Sequence, residues 1–276
     1  MTLRELYLKG KRELTAAGKD EAEPEARLLL MHACNIDKNT FFMQPEKLVT
    51  TEAHRKYDEY LQLRKQSMPL QYILGTQGFM GMELKVTPDV LIPRQDTEVL
   101  VEQVLADGVK DMSVLDLCTG SGCILLGLMK NESGIKGTGA DVSDKALKIA
   151  KENAKLQGIS ADWVLSDLYA SVSGKFDVIT SNPPYIRTSE IDLLMPEVGK
   201  YEPRGALDGG ADGLDYYRKI VKDAPKYLNA GGRLYLEIGS EQGEAVKTLL
   251  EENGFSGVRI IRDYARLDRV VTGKVQ

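Results

Sequence analysis

The sequence of 276 residues has few cysteines, histidines and tryptophans, and it has no long apolar run. The three cysteines form no Cys-x-x-Cys pair, and neither histidine lies beside such a pair, so a structural zinc site lacks ligands at the usual spacing. We expect no metal site and predict that the cysteines are reduced and mostly packed. No segment approaches the ~20 apolar residues that cross a bilayer.

The chain also lacks an excess of basic residues. It carries 36 Lys and Arg against 41 Asp and Glu, a net charge of −5, and neither the first 75 residues nor the remainder is strongly basic. Duplex-binding domains neutralise phosphates with clustered Lys and Arg, so direct nucleic-acid binding is not expected. The charged first 14 residues indicate an amphipathic helix rather than a signal peptide, and a cytoplasmic location without a membrane partner is predicted.

The pattern of apolar residues changes along the chain. The first ~70 residues predict only helices, with one apolar stripe through Leu3, Leu6 and Leu14 and a helix capped by Thr50. A glycine-containing hairpin follows at 78–86. We therefore predict a helical domain at 1–74, a β-hairpin linker at 75–92 and an α/β domain at 93–276.

The α/β domain alternates strands with helices. Strands are predicted at about 113–117, 137–141, 163–165, 176–180, 233–238, 257–261 and 267–271. Repeated βα units predict a parallel sheet with helices on both faces. The last two strands have no helix between them, which indicates an antiparallel pair at one edge of a mostly parallel, seven-stranded sheet.

A glycine loop follows the first of these strands. Gly120 and Gly122 allow the backbone to approach a ligand, and Asp141, at the end of the next strand, is suited to hold the two hydroxyls of a ribose. The loop could also be a tight turn without a ligand. A dinucleotide fingerprint is disfavoured because Leu125 stands at its third glycine position and Asp116 would face a pyrophosphate.

A nucleoside with a cationic amino-acid tail fits this loop better, and S-adenosylmethionine is such a ligand. The loop resembles the Asp-x-Gly-x-Gly-x-Gly loop of class I, Rossmann-like methyltransferases, with Cys118 in place of the first glycine. We expect Cys118 either to take a negative φ or to displace the loop.

The segment Asn182-Pro183-Pro184-Tyr185 follows the fourth predicted strand. Two prolines stiffen the loop and leave its carbonyls as acceptors, and the Asn182 side chain adds another. Two convergent acceptors suit a planar –NH₂ group, and the Tyr185 ring offers it a flat face. The pattern could be a stiffened turn, but it resembles the motif of enzymes that methylate nitrogen conjugated to a π system.

Three further segments narrow the resemblance: Pro93-Arg94 with Thr97-Glu98, the stretch 202–210 that reads Glu-Pro-Arg-Gly-Ala-Leu-Asp-Gly-Gly, and Leu236-Glu237-Ile238-Gly239. With the helical first domain, they resemble the peptide chain release factor N5-glutamine methyltransferases (the PrmC family) over nearly the whole chain. Thr97 and Glu98 could instead cap a helix, and Arg204 could pair with Asp208 to order its loop.

The resemblance implies that the substrate is the glutamine of the Gly-Gly-Gln loop of class I release factors, and that the helical domain at 1–74 docks this substrate. It also implies that the cofactor is S-adenosylmethionine, which leaves as S-adenosylhomocysteine. The family's catalytic positions correspond to Asn182, Pro183 and Tyr185. Its substrate positions correspond to Asn182, Pro183, Pro184 and Tyr185. Its cofactor positions correspond to Cys118, Thr119, Gly120, Ser121, Gly122, Asp141, Asp167, Leu168 and Asn182, and Leu168 stands where the family often has an aromatic.

Two other functions stay open from the sequence. The first is a DNA adenine-N6 or rRNA guanine-N2 amino-methyltransferase, which shares the loop chemistry but needs a basic nucleic-acid face. The second is a non-enzymatic assembly factor, which the intact Asn-Pro-Pro-Tyr segment disfavours.

Overall fold

The computed structural model describes residues 1–276, which divide into two compact units. The helical unit comprises Met1–Gly75 and Met195–Tyr201, and the α/β unit comprises Thr76–Leu194 and Glu202–Gln276. The β-hairpin that was expected as a separate linker thus belongs to the α/β unit. None of the helices is long and apolar enough to cross a lipid bilayer.

The secondary structure follows the expected order. The helices are α1 (Leu3–Ala16), α2 (Ala22–Cys34), α3 (Lys38–Met43), α4 (Thr51–Lys65), α5 (Leu70–Leu74), α6 (Gln95–Ala106), α7 (Cys123–Asn131), α8 (Asp144–Gln157), α9 (Pro196–Gly199), α10 (Asp215–Tyr227) and α11 (Gly243–Glu252). The strands are β1 (Thr76–Phe79), β2 (Met82–Lys85), β3 (Ser113–Leu117), β4 (Lys136–Asp141), β5 (Asp162–Leu165), β6 (Phe176–Ser181), β7 (Leu228–Glu237), β8 (Ser256–Arg262) and β9 (Asp268–Lys274).

Three helices of the helical unit, α1, α3 and α4, begin at side-chain caps. Thr2 and Glu5 form a capping box at the start of α1, and the Thr50 hydroxyl accepts from the Ala53 N–H at the start of α4, as predicted. The predicted apolar stripe of α1 is buried against α2 and α4. Tyr57 of α4 is fully buried, and its hydroxyl donates to the Ala26 carbonyl.

The segment Met195–Tyr201, which contains α9, is held to the other helices of this unit by polar contacts. The Glu197 carboxylate accepts from Lys19 Nζ and from Arg64 Nη1, each at 2.9 Å. The Tyr201 hydroxyl donates to the Gln66 carbonyl at 2.8 Å. Although partial burial opposes ionisation, these hydrogen bonds and charges lower the pKa of Glu197 to about 2. The ionised carboxylate therefore stabilises the folded unit.

The α/β unit contains a seven-stranded sheet with the order β5-β4-β3-β6-β7-β9-β8. The first five strands are parallel, and β9 pairs antiparallel with β7 and β8, so the predicted fold class is confirmed. Strand β7 begins five residues earlier than predicted, because Leu228 pairs with Phe176 across an irregularity in the register. The pair β1–β2 forms a separate antiparallel hairpin.

The two faces of the sheet have different partners. Leu115 and Leu117 of β3 pack in one apolar cluster with residues of α10 and α11, whereas Val114 packs in another with residues of α6 and α7. This alternation follows from the two-residue period of a strand. The carboxyl ends of β3, β4 and β6 lie side by side, which is where open parallel sheets bind ligands.

We expect Glu197→Gln to loosen the segment Met195–Tyr201. The neutral amide loses the charge-assisted bonds to Lys19 and Arg64, which are worth about 1–2 kcal/mol, so trypsin should cleave after Lys200 roughly 5–30-fold faster under native conditions. Glu190→Gln is the control, because Glu190 is exposed and pairs only with Arg187 at the surface. Equal cleavage rates in the two variants would contradict this assignment.

Candidate active site

A cavity of about 470 Å³ opens at the carboxyl ends of β3, β4 and β6. All but three of the predicted site residues line it, namely Cys118, Thr119, Gly120, Ser121, Asp141, Asp167, Leu168, Asn182 and Pro184. Gly122, Pro183 and Tyr185 lie outside the lining. Tyr216 of α10 and Arg94, which precedes α6, also line the cavity.

Every second residue of the glycine loop has a left-handed backbone conformation. Cys118, Gly120 and Gly122 have φ values of 55°, 54° and 80°. Of the two alternatives predicted for Cys118, the negative φ is wrong, because its backbone takes the left-handed conformation that suits glycine. A side chain in this region costs roughly 1–2 kcal/mol.

Gly122 is required for packing rather than for access to the cavity. A Cβ atom at this position would lie 3.0 Å from the Trp163 ring and 3.3 Å from the Ala150 side chain. Gly120, in contrast, would present a Cβ with only the Cys118 carbonyl oxygen nearby, at 3.9 Å. The open side of the loop is thus at Gly120, where a ligand can approach the backbone.

Asp116 supports the loop from beneath. Its carboxyl group is fully buried and accepts from the Thr119 hydroxyl at 2.6 Å and from the Thr180 hydroxyl at 2.8 Å. Burial raises its pKa to about 7. The residue therefore joins β3, the glycine loop and β6 instead of facing a ligand.

Asp141 joins the end of β4 to the glycine loop. Its Oδ2 accepts from the Gly120 N–H at 2.8 Å, and its Oδ1 accepts from the Ser143 N–H at 2.9 Å. Burial raises its pKa, while these backbone donors favour the carboxylate. Each oxygen retains a second lone pair for hydroxyl groups in the cavity.

The Asn-Pro-Pro-Tyr loop is held from behind by one carboxamide. Gln242 Nε2 donates to the Tyr185 carbonyl at 3.0 Å and to the Gly213 carbonyl at 3.2 Å. Its Oε1 accepts from the Gly239 N–H at 3.0 Å. Burial raises the pKa of Tyr185 to about 12, so its phenol is neutral. These contacts leave the loop few ways to move.

The segments that the sequence resemblance singled out meet beside this loop. The Arg94 guanidinium forms an ion pair with Glu202, whose carboxyl group is almost fully buried. Gly209 lies against the backbone of Tyr185, where a Cβ atom would come within 2.7 Å of the Tyr185 Cα. This close approach explains why glycine stands in the second segment.

Thr97 and Glu98, which could have capped α6, make other contacts. Arg94 is the N-cap residue of α6, and no side chain caps that helix. The Glu98 carboxylate accepts from the Met80 N–H in the β1–β2 turn at 2.6 Å, and the Thr97 hydroxyl lies 3.5 Å from Asn182 Nδ2. The capping interpretation is therefore wrong.

The expected pair between Arg204 and Asp208 is present, with Arg204 Nε 3.7 Å from Asp208 Oδ2. The Thr188 hydroxyl also donates to Asp208, at 2.6 Å. These contacts order the loop that follows the Asn-Pro-Pro-Tyr segment.

Glu237, within Leu236-Glu237-Ile238-Gly239, is a candidate functional residue that no sequence pattern predicted. Glu237 is the last residue of β7 and is 2% exposed. Its signal in the sequence was an acidic residue at the end of an otherwise apolar strand, at the sheet edge where the site was predicted.

The sheet with its one reversed strand β9, the glycine loop after β3 and the Asn-Pro-Pro-Tyr loop after β6 define a methyltransferase of the Rossmann-like class. The "Methyltransferase small domain" family model matches residues 94–196, and the "PrmC N-terminal domain" model matches residues 5–75. A methyltransferase structure from Pyrococcus furiosus has the same fold, with a TM-score of 0.53 and 20% identity over 70% of this chain and 89% of that one.

Curated relatives specify the family. The chain is 41% identical to the release factor glutamine methyltransferase of Geobacter sulfurreducens over 263 residues, which cover 95% of this chain and 93% of the relative. It is 41% identical to the protein of the same name from Thermodesulfovibrio yellowstonii, over 90% of each chain. The chain therefore belongs to the release factor glutamine methyltransferase family, and it is an enzyme.

We expect Cys118→Gly to be more stable than Cys118→Ala by roughly 0.5–1 kcal/mol, because relief of ~1–2 kcal/mol of left-handed strain outweighs the ~0.4–1 kcal/mol that glycine's freedom costs in the unfolded chain. Both variants remove the thiol, so their difference isolates the Cβ atom. Urea unfolding followed by the fluorescence of Trp163, the single tryptophan, measures it. Equal stabilities would argue against strain at this position.

Proposed function

We propose that this protein transfers a methyl group from S-adenosylmethionine to the side-chain amide nitrogen (N5) of the glutamine in the Gly-Gly-Gln motif of class I peptide chain release factors. The observation that carries the proposal is that Asn182 and Pro184 line the same cavity as Asp141 and the glycine loop. The name that curated relatives share supports the choice of a release factor as substrate.

The residues of the cavity fit the cofactor. The volume of about 470 Å³ lies within the range of small-molecule sites, and the backbone at Gly120 is open to a ligand. Asp141 would accept the ribose hydroxyls, and Asp167 and Leu168 would hold the adenine side. When bound, S-adenosylmethionine supplies a methyl group on a sulfonium centre and leaves as S-adenosylhomocysteine.

The chain's own groups would act on the amide nitrogen. An amide nitrogen is a poor nucleophile because its lone pair is delocalised. The Asn182 Oδ1 and the Pro183 carbonyl oxygen would accept its two N–H bonds and orient it for in-line attack, and the Tyr185 ring would provide a flat face for the amide plane. The same acceptors stabilise the positive charge that grows on nitrogen.

No strong base is required before transfer. The amide nitrogen, held by these acceptors, would take the methyl group that the sulfonium supplies, and the methylated nitrogen would then be acidic enough to lose one proton to solvent. None of the groups that line the cavity has to take a proton first. This agrees with a site whose reactive edge consists of carbonyl acceptors and prolines rather than an exposed histidine or lysine.

Mass spectrometry of a purified class I release factor tests the function. After incubation with this protein and S-adenosylmethionine, the Gly-Gly-Gln peptide should gain one methyl group on its glutamine. A release factor with Asn in place of that glutamine should gain none. The same assay with Asn182→Ala should show a kcat lower by roughly 10²–10³-fold, as for loss of one preorganised polar group, with little change in the cofactor Kd.

Two outcomes would overturn the proposal. No methylation with cofactor binding intact would favour a DNA adenine or rRNA guanine amino group, which transfer of labelled methyl to rRNA and DNA would reveal. Normal turnover by Asn182→Ala would refute the role assigned to that side chain.

A second prediction concerns the cofactor. Asp141→Ala removes a charged acceptor, so we expect the Kd of S-adenosylmethionine to rise roughly 10–100-fold, which corresponds to about 1.5–3 kcal/mol for a hydrogen bond to a charged group. Calorimetry measures the Kd, and Asp144→Ala, at the exposed start of α8, is the control. Unchanged affinity in Asp141→Ala would count against contact with the ribose.

A further inference from the structure

Glu237 and Asn182 lie at neighbouring strand ends. Strands β6 and β7 pair in parallel with Ser181 opposite Leu236, so the next residues along the two strands, Asn182 and Glu237, are also neighbours. Paired strands are about 4.8 Å apart, within reach of a carboxyl and a carboxamide group. Glu237 therefore lies beside the Asn-Pro-Pro-Tyr loop without lining the cavity.

Both side chains are on the face of the sheet that packs against α6. Successive residues alternate between faces, and Val178 and Tyr235 pack in the cluster that contains the apolar residues of α6. Asn182 is four residues after Val178 and Glu237 is two residues after Tyr235, so both point to this same face. Thr97, in the first turn of α6, meets them there and is 2% exposed.

The contacts define which end of the Asn182 carboxamide is held. Asn182 Nδ2 lies 3.5 Å from the Thr97 hydroxyl oxygen. Both side chains lie close enough to the Glu237 carboxyl group to favour its charged form. A carboxylate only accepts, so the opposite orientation would bring Asn182 Oδ1 against its negative charge. The NH₂ end is thus held inward and Oδ1 is left for the cavity.

The charge of Glu237 matters because the carboxyl group is buried. Burial raises its pKa to about 7, the nearby Thr97 hydroxyl, Arg269 guanidinium and Asn182 carboxamide lower it, and Oε2 has no hydrogen-bond partner. A protonated carboxyl group could donate to Asn182 Oδ1 and permit the flipped orientation. Only the ionised form excludes it.

Other titratable groups surround this carboxyl from each neighbouring element. Arg269 of β9 favours the charged form and Asp96 of α6 opposes it. The remaining neighbours are neutral phenols and a thiol, namely Tyr185, Tyr217 and Cys123, each with a raised pKa. Burial also raises the pKa of Asp116 on β3 to about 7, but its carboxyl group accepts from Thr119 and Thr180 and not from Asn182. Glu237 is therefore the group beside the Asn182 carboxamide whose charge changes near neutral pH.

We infer that Glu237, together with Thr97, is a positioning residue that orients the Asn182 carboxamide so that Oδ1 faces the nitrogen to be methylated. The effect on kcat rests on the proposed function, whereas the orientation of the Asn182 carboxamide does not depend on it. Since the ionised carboxylate selects the productive orientation, kcat should rise with pH through a midpoint near 7.

The orientation is tested first without a release factor. In protein labelled with ¹⁵N at asparagine, the Asn182 side-chain NH₂ signals are assigned by their loss in Asn182→Ala. We expect these signals to shift with a midpoint near pH 7 and to stop shifting in Glu237→Gln. Glu241→Gln, an exposed residue just beyond β7, is the matched control and should titrate as the native protein does.

The kinetic consequence is tested with the release factor. Glu237→Gln should lower kcat roughly tenfold or more and abolish its dependence on pH near 7, while the Kd of S-adenosylmethionine stays unchanged. Thr97→Val, which keeps the shape of the side chain, should lower kcat by a smaller factor and move the Asn182 signals. This second variant decides the matter if Glu237→Gln does not fold.

Pairs of results separate the two proposals. Asn182 signals that ignore both pH and the Glu237→Gln substitution would overturn the positioning role, as would an unchanged kcat–pH profile. Native protein that leaves the release factor unmethylated would refute the proposed function, and the NMR titration would still decide the orientation of Asn182.

Discussion

The structure of the site depends on the parallel pairing of β4, β3, β6 and β7. Their register brings Asp141, the glycine loop, Asn182 and Glu237 to one edge of the sheet, although these residues are far apart in the chain. Helices cover both faces of the sheet, so its carboxyl edge is the natural place for a ligand. Loss of pairing between any two of these strands would separate the residues that are proposed to bind the cofactor from those that are proposed to bind the substrate.

Carboxyl groups beneath the cavity reinforce this pairing. Asp116 links β3 to β6 through Thr180, Asp141 links β4 to the glycine loop, and Glu237 at the end of β7 lies beside Asn182. Burial opposes their ionisation, and hydrogen-bond donors around each one offset part of that cost. Burial of these carboxyl groups lowers the stability of the folded protein, but it fixes the positions of the glycine loop and of Asn182.

Two of the seven non-glycine residues with a positive φ lie at the same edge. Cys118 and Leu168, which both line the cavity, have φ values of 55° and 49°. Left-handed residues other than glycine are uncommon, and they persist where surrounding contacts over-determine the backbone. The strain at Cys118 is accommodated by a loop that hydrogen-bonds to both Asp116 and Asp141. These hydrogen bonds explain how the loop can have a cysteine at position 118, where the resembled loop has glycine.

Local patterns in the chain were enough to predict the order of strands and helices, the antiparallel last strand pair and the two loops that line the cavity after β3 and β6, because periodicity, caps and turn residues act over a few residues. They could not reveal that Thr97 faces Asn182, that Glu237 lies beside it, or that Met195–Tyr201 packs with the helical unit. The left-handed φ of Cys118 was equally hidden. Each of these features depends on which distant strands and helices become neighbours, and that is decided only when the sheet and the helical unit are assembled.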